Sequence, residues 1–360
     1  MLKRVISSFS VMLLVLLITS ASAGPAGAKV TNAYTVTNLV SDVPGAATFL
    51  DPNLVNAWGL AAGPMTPWWV ADNGTNVSTL YTGAGTAIPL VVGVQGAPTG
   101  AVFNGGTGFK VSKDGVSGPS LFLFATEAGT IRGWNPNVPA PAPSTKAFKV
   151  VDRRSKGAIY KGLAIASGPD GDMLYATDFH NGRVDVFDAT FHRILKQAFV
   201  DPGLPEGYAP FGIQALGGDI FVTYAKQGPG AVDEIGGPGK GFVDMYDTEG
   251  NLLGRVASRH ALNAPWGLAW APDNFGRFSG DLLVGNFGDG RINAYEPESD
   301  GGFERDGVLR NTDGSPVWID GLWAIGFGNG GAAGPTNSLY FTAGPQDESH
   351  GLFGSIQAAP

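Results

Sequence analysis

The chain contains no cysteine. Disulfides, thiolate metal sites and cysteine nucleophiles are therefore excluded. Charge is scarce as well, at 15% of residues, with 31 acidic against 23 basic side chains and a formal net charge of -8. No run of five basic residues occurs, which argues against a nucleic-acid groove or an anionic membrane surface. Apart from one short stretch near the N-terminus there is no long apolar run, so no membrane-spanning segment is expected. A G-x-S-x-G elbow, a phosphate-binding P-loop and a dinucleotide G-x-G-x-x-G set are all missing. Helical periodicity never persists for more than a few turns.

Glycine and proline are abundant, with 55 Gly and 25 Pro in 360 residues. At that level the choice is between disorder and a fold with very many turns. The 43% hydrophobic content supplies enough apolar surface for a core, so many short strands joined by glycine-rich turns is the better account.

The N-terminus reads as a targeting segment. Lys3 and Arg4 precede the apolar run Val11 to Ile18, and Ala21-Ser22-Ala23 offers a small-residue cleavage site. Residues 1–23 are expected to be a secretory signal peptide, with a cut after Ala28 as the alternative, and residues 24–33 a short tail. The expected location is extracellular or periplasmic.

A unit of about fifty residues then repeats six times. It opens on an x-Gly-apolar motif: Trp58-Gly59-Leu60, Gly100-Ala101-Val102, Lys161-Gly162-Leu163, Phe211-Gly212-Ile213, Trp266-Gly267-Leu268 and, degenerate, Trp323-Ala324-Ile325. A nearly all-apolar run follows, such as Met173 to Asp178. Next comes a glycine-led alternating run, such as Gly182 to Asp188. Alternation marks a half-buried strand, and continuous apolarity marks a strand covered on both faces. A weaker fourth strand follows in most copies, as in Ile194 to Val200 or Leu252 to Ala257. Four strands per unit make a β-propeller blade. The sixth copy ends after its third strand, while Tyr34 to Asp42 supplies the missing fourth. The expected fold is all-β: one six-bladed β-propeller over residues 34–357, with four-stranded antiparallel blades and the N-terminal strand completing the last, then a tail at 358–360. Phe303 to Trp318 is expected to connect blades five and six. A closed ring has no free sheet edge and is expected to be a monomer.

The repeat resembles the NHL and regucalcin-like (SMP-30-like) six-bladed propellers, whose units share this P-x-G-[LIV]-A … D … G-x-[IV] grammar. More narrowly, Asn56 to Leu60, Trp69 to Gly74 and Ala264 to Ala269 resemble a family of exported bacterial propellers without an assigned activity. That resemblance implies fold and export.

Loops from strand four to strand one and from strand two to strand three share one face, around the channel mouth. Ligand-binding candidates placed there are Trp58, Asp72, Asn73, Glu127, Tyr160, Asp178, His180, Asn181, Trp266, Asn286 and Trp323. Asn76, Lys161, Asp289, Asp347 and Glu348 map to the same face. An aromatic-rimmed mouth with carboxylates and amides suits a small polar molecule or a sugar. The competing expectation is that the aromatics wedge between blades while Asp72 and Asp178 bond their own turns. For metal, His180, His260 and His350 map to the mouth and His192 to the opposite side. Three imidazoles around a channel suit Zn²⁺ with an open position. Oxygen ligands in Asp72 to Asn76, Asp178 and Asn286 to Asp289 suit Ca²⁺. The resemblance implies a comparable divalent-ion site for lactonases, for which Glu127, Asn181 or Asn286, and Asp178 are positional counterparts, and an imidazole site for an amidating lyase. Two functions are thus expected: a binding module for a small ligand, glycan or protein, or a divalent-metal-dependent lyase or hydrolase. The first His to mutate is His180, because no other copy carries His at that place.

Overall fold

The computed structural model describes residues 31–194 and 198–359. The expected signal segment and its cleavage positions lie outside the described residues, as does the middle of the strand expected over Ile194 to Val200. Among the described residues no helix is long and apolar enough to cross a membrane.

Six four-stranded antiparallel blades follow one another along the chain. Their innermost strands are Ala57–Ala61, Pro98–Phe103, Tyr160–Gly168, Tyr208–Leu216, Pro265–Trp270 and Leu322–Phe327. The second strands are the apolar runs of the repeat. Trp68–Asp72, Phe122–Thr126, Leu282–Asn286 and Leu339–Ala343 are buried along their whole length. This is the burial expected of strands packed between two neighbouring sheets.

Blade six closes as the sequence implies. Tyr34–Ser41 pairs antiparallel with Leu352–Ala358, and Phe49–Leu50 adds a short parallel strand outside it. One assignment is corrected. Phe303–Val308 is not part of a connection but the fourth strand of blade five, held against Ile292–Pro297. Its sequence FERDGV carries three charges and a glycine, so it lacks an apolar signature; an outer strand facing water needs none.

The repeated glycine has a structural cause. A Cβ on Gly100 would lie 2.3 Å from the amide nitrogen of Leu163 in the next blade, and one on Gly212 would lie 2.1 Å from the carbonyl oxygen of Trp266. Gly59 meets the backbone of Thr99 in the same way, and Gly267 that of Trp323. These glycines let the six inner strands converge on the axis. Hydroxyls tie adjacent blades at the same level. Thr99 donates to the Tyr160 carbonyl at 2.8 Å, Thr177 to the Phe211 carbonyl at 2.7 Å, and Thr342 to the Trp58 carbonyl. The channel accordingly pinches to a waist of about 20 Å³ at the level of Gly59, Gly100 and Gly267.

Candidate functional site

Above the waist, the aromatic residues that open four of the repeats, Trp58, Phe211, Trp266 and Trp323, cluster together. Trp58 stacks on Trp323 with ring centroids 3.6 Å apart, and Trp266 meets both edge-on at 6.4 and 5.8 Å. Phe211 and Phe287 pack against Trp323 at 5.8 and 4.0 Å. Trp58, Phe211, Trp266, Phe287 and Trp323 pack on one another as a plug that forms the floor of the mouth.

The plug is pinned by a chain of hydrogen bonds leading outward. Trp58 and Trp323 both donate their indole N–H to Asn56 Oδ1, at 2.9 and 3.2 Å. Asn56 Nδ2 donates to Asn73 Oδ1 at 3.3 Å, and Asn73 Nδ2 to Glu127 Oε2 at 2.9 Å. Glu127 then accepts from Lys161 Nζ at 2.6 Å, and Asp233 accepts from the same ammonium at 2.9 Å. Lys161 sits 5.1 Å from the centroid of the Trp58 ring, while its carbonyl accepts from Trp266 Nε1 at 3.0 Å. Its side chain is 1% exposed. Burial alone would lower its pKa, but the adjacent carboxylates, Glu127 foremost, overcome that and hold it above the usual lysine range. Lys161 is thus a fixed cation.

Over this floor lies a cup of about 220 Å³ bounded by Trp58, Lys161, Asp233, Glu234, Phe287, Asp347 and Glu348. Burial pushes the Glu348 carboxyl up to about 7, with the negative charges of Glu234 and Glu127 adding to the shift and Lys161 opposing it. Glu234 is raised too, by burial first. Four carboxyl groups thus line a cup that contains one ammonium, and burial disfavours the charged form of two of them, Glu234 and Glu348.

Of the sequence-derived candidates, Trp58, Asn73, Glu127, Trp266 and Trp323 are brought together here with Lys161, Asp347 and Glu348. The others lie elsewhere. Asp72 is wholly buried in its own blade and accepts from the Thr79 amide at 2.9 Å. Tyr160 donates its hydroxyl to Asp185 at 2.9 Å. Asp178 accepts from the Ile159 amide at 3.2 Å and from Asn181 Nδ2 at 2.7 Å, which is turn chemistry. Asn286 Nδ2 donates to the Ala261 carbonyl at 2.7 Å. Asp233, Glu234 and Phe287 escaped sequence reasoning, the first two because they sit in the glycine- and proline-rich loop 227–241, whose register no strand pattern sets.

The histidines have separate partners. His180 Nδ1 meets the Ala231 carbonyl at 3.3 Å, His350 Nδ1 meets Asp42 at 2.8 Å, and His260 lines a different cavity with Asp289 and Arg291. Among the described residues no group of three or more His, Asp and Glu side chains is placed to hold a metal ion.

No protein-family profile matches the chain. Uncharacterized protein R648 of Acanthamoeba polyphaga mimivirus is 34% identical over 348 residues, covering 92% of this chain and 82% of the viral protein. Uncharacterized protein L690 of the same virus is 33% identical over 351 residues, covering 92% and 87%. Among solved structures, a glucose dehydrogenase superposes with a TM-score of 0.55 at 13% identity, over 91% of this chain and 100% of that one. That likeness is one of fold. The relatives found are viral, and a bacterial family rests on the sequence resemblance alone.

Proposed function

The chain belongs to the family of the mimivirus proteins R648 and L690, and we propose that it is a binding module whose channel mouth takes a small molecule bearing a cationic group. The observation that carries this reading is the excess of carboxyl groups in the cup: Asp233, Glu234, Asp347 and Glu348 around one ammonium, beside Trp58 and Phe287. Lys161 itself rests against the Trp58 ring, as a ligand ammonium would against the rest of the floor. The pinned plug gives that floor a fixed shape before binding, which lowers the ordering cost. A glycan or a protein segment remains within this reading only if it presents a positive group to the cup. The NHL and regucalcin-like kinship enters as a relation of blade grammar. Export is part of the proposal too, and its support is the Lys3-Arg4, Val11 to Ile18 and Ala21-Ser22-Ala23 pattern.

The alternative, a divalent-metal lyase or hydrolase, draws less support, since His180, His260 and His350 each have partners of their own. Calorimetric titration with putrescine, choline and arginine, with succinate as the anionic control, tests the reading. One of the cations is expected to bind one per chain, and Glu348→Gln is expected to weaken it about fivefold. Binding of succinate alone, or cation binding indifferent to both Glu348→Gln and Asp347→Asn, would overturn it.

A further inference from the structure

The loops of the mouth face enclose a further cavity of about 140 Å³ where blade four meets blade five, and its balance of acid and base is the reverse of the cup's. Pro238 and His260 come from blade four and its exit, and Asp289, Arg291, Asn293 and Arg305 from blade five. Asn293 and Arg305 stand on the third and fourth strands of that blade, Ile292–Pro297 and Phe303–Val308. The cavity therefore lies toward the rim, whereas the cup is built at the head of the inner strands. Asp289 is the one acid in the lining, against two guanidinium groups and an imidazole.

Buried amides hold this lining in place. Asn293 is 2% exposed; its Oδ1 accepts from Arg305 Nη2 at 3.0 Å and its Nδ2 donates to the Ala261 carbonyl at 3.3 Å. The same carbonyl accepts from Asn286 Nδ2, which also donates to Asp289 Oδ1 at 3.0 Å. Asp289 Oδ1 accepts from the Arg291 amide at 3.3 Å as well, so that oxygen is committed to the turn. The chain enters the cavity through Arg259 and His260, two successive non-glycine residues with φ of 54° and 46°. Left-handed backbone of this kind costs energy and collects at ligand sites. Neither guanidinium is matched. Among the described residues Arg291 donates no side-chain hydrogen bond and Arg305 meets only an amide, in a chain whose acids outnumber its bases by 31 to 23.

We propose that this cavity is a second ligand site, for the carboxylate or phosphate group of a molecule no larger than one ring. Charge sets the sign of the ligand: an anion gains two guanidinium groups, whereas a cation would meet both of them for a single carboxylate. Guanidinium sets its chemistry, since the planar fork of N–H donors matches the paired oxygens of a carboxylate or phosphate. The imidazole of His260 carries an N–H donor in either tautomer. Asn293 already orients Arg305, so part of the ordering cost is met before the ligand arrives. Size sets the rest: a cavity of roughly 150 Å³ holds one benzene, and this one has nearly that room.

Calorimetric titration of the full chain with glucuronate, glucose 1-phosphate and glucose tests the proposal and separates the two oxyanions. Glucuronate or glucose 1-phosphate is expected to bind at one per chain, and glucose, which has no charge, is not. Arg291→Gln, at an exposed position, is expected to weaken that binding about tenfold, the loss of a charge-assisted hydrogen bond. Asp289→Asn keeps an oxygen for Asn286 and the Arg291 amide but removes the repelling charge. It should tighten the complex about threefold, a gain that a misfolded variant would not show. Lys113→Gln, an exposed lysine of blade two, is the control for overall charge and should stay within about twofold. Neither acid saturating at one per chain, Arg291→Gln and Lys113→Gln acting alike, or Asp289→Asn weakening the complex would each overturn the proposal. Any binding of succinate should fall with Arg291→Gln in the same way and belongs to this site. The cations of the cup and these acids report on different lining residues, so the two sites stand or fall separately.

Discussion

Lys161 donates to Glu127 at 2.6 Å and to Asp233 at 2.9 Å from a side chain that water hardly reaches. Removing the ammonium leaves Glu127 facing Asp233, Glu234 and Glu348 without a counter-ion. Lys161→Met is expected to cost about 2–3 kcal/mol in urea unfolding, below the figure for a wholly buried pair because Asp233 stays largely in water. Adding Glu127→Gln should recover part of that loss; a double variant no better than the single would mean that packing, not charge, is what Lys161 supplies. Glu348 gives a pH-dependent counterpart. Its carboxyl is raised to about 7 by burial first and by Glu234 and Glu127 next, whereas an unfolded glutamate titrates near about 4.3. The folded state therefore holds this proton more tightly. The stability it contributes is fully present below the unfolded value and is lost as pH rises through about 7. Asp281, raised to about 7 by burial and then by Asp306, adds a slope of the same sign. The difference between wild type and Glu348→Gln isolates the mouth: the variant's melting temperature should fall less between pH 5 and 8. Ligand affinity should run the other way. A cation is expected to bind more tightly as pH passes upward through about 7 and Glu348 ionises, and calorimetry at either side of that value reads the effect.

At the scale of the strand, the glycine of each opening motif is set by its neighbour rather than by its own conformation. Gly212→Ala would place a methyl group 2.1 Å from the Trp266 carbonyl oxygen, in backbone that cannot step aside without widening the ring. A loss of about 3 kcal/mol is expected, with thermal unfolding as the measure. Gly254→Ala is the control. It stands on an outer strand with nothing within 4 Å of the added atom, and its effect should stay within about 0.5 kcal/mol. If the two variants melted alike, convergence at the waist would not be what keeps the motif. This motif is also why the fold was legible. Blade count, strand order and closure all follow from a recurring glycine, a continuous apolar run and an alternating one, each a local pattern with one physical meaning. The site was legible in part. Lys161, Glu127 and Glu348 could be assigned to the mouth because they flank strands whose register the pattern fixes. That they meet could not be read, because the carboxylate completing the pair, Asp233, arrives on a loop whose path depends on long-range contacts. One of those contacts is the bond from His180 to Ala231, which gives the singular histidine a role in holding the loop. Nor could the alternation say that Trp58, Trp266 and Trp323 point at one another. In a closed ring, the direction of an inner side chain is decided by how tightly the whole circle draws in.

For the molecule as a whole, the ring is only as closed as its sixth blade, which is built from both ends of the described chain. Tyr34–Ser41 pairs with Leu352–Ala358 from one end of the strand to the other, interrupted by a single irregularity at Asn38 to Val40. Side chains fasten both extremities. At the mouth end, Asp42 accepts from the Gly351 amide at 2.8 Å and from His350 Nδ1 at 2.8 Å, and Ser41 donates to the Gly351 carbonyl at 2.9 Å. At the far end, the Tyr34 hydroxyl donates to the Phe275 carbonyl at 3.0 Å and its amide to the Arg310 carbonyl at 2.8 Å, which reaches into blade five. The strand thus joins blade six to blade five as well as to itself. An open array of blades unfolds as a sum of repeats with nearest-neighbour coupling, whereas a closed one has no end from which to fray. A chain beginning at Asp51 should therefore lose more than one strand's share of stability. It would uncover the edge of Leu352–Ala358, a row of unpaired backbone groups that templates association. The truncated protein is expected to migrate as dimers and larger species in size-exclusion chromatography, and to unfold with fluorescence and circular-dichroism transitions that no longer coincide. Three of the eight tryptophans, Trp58, Trp266 and Trp323, stand in the plug, so the fluorescence weights that region while the far-ultraviolet signal reports on all six sheets, and separation of the two curves registers a loss of ring cooperativity. A truncated chain that stays monomeric with coincident transitions would show that the plug and the waist, not the strand exchange, keep the ring closed.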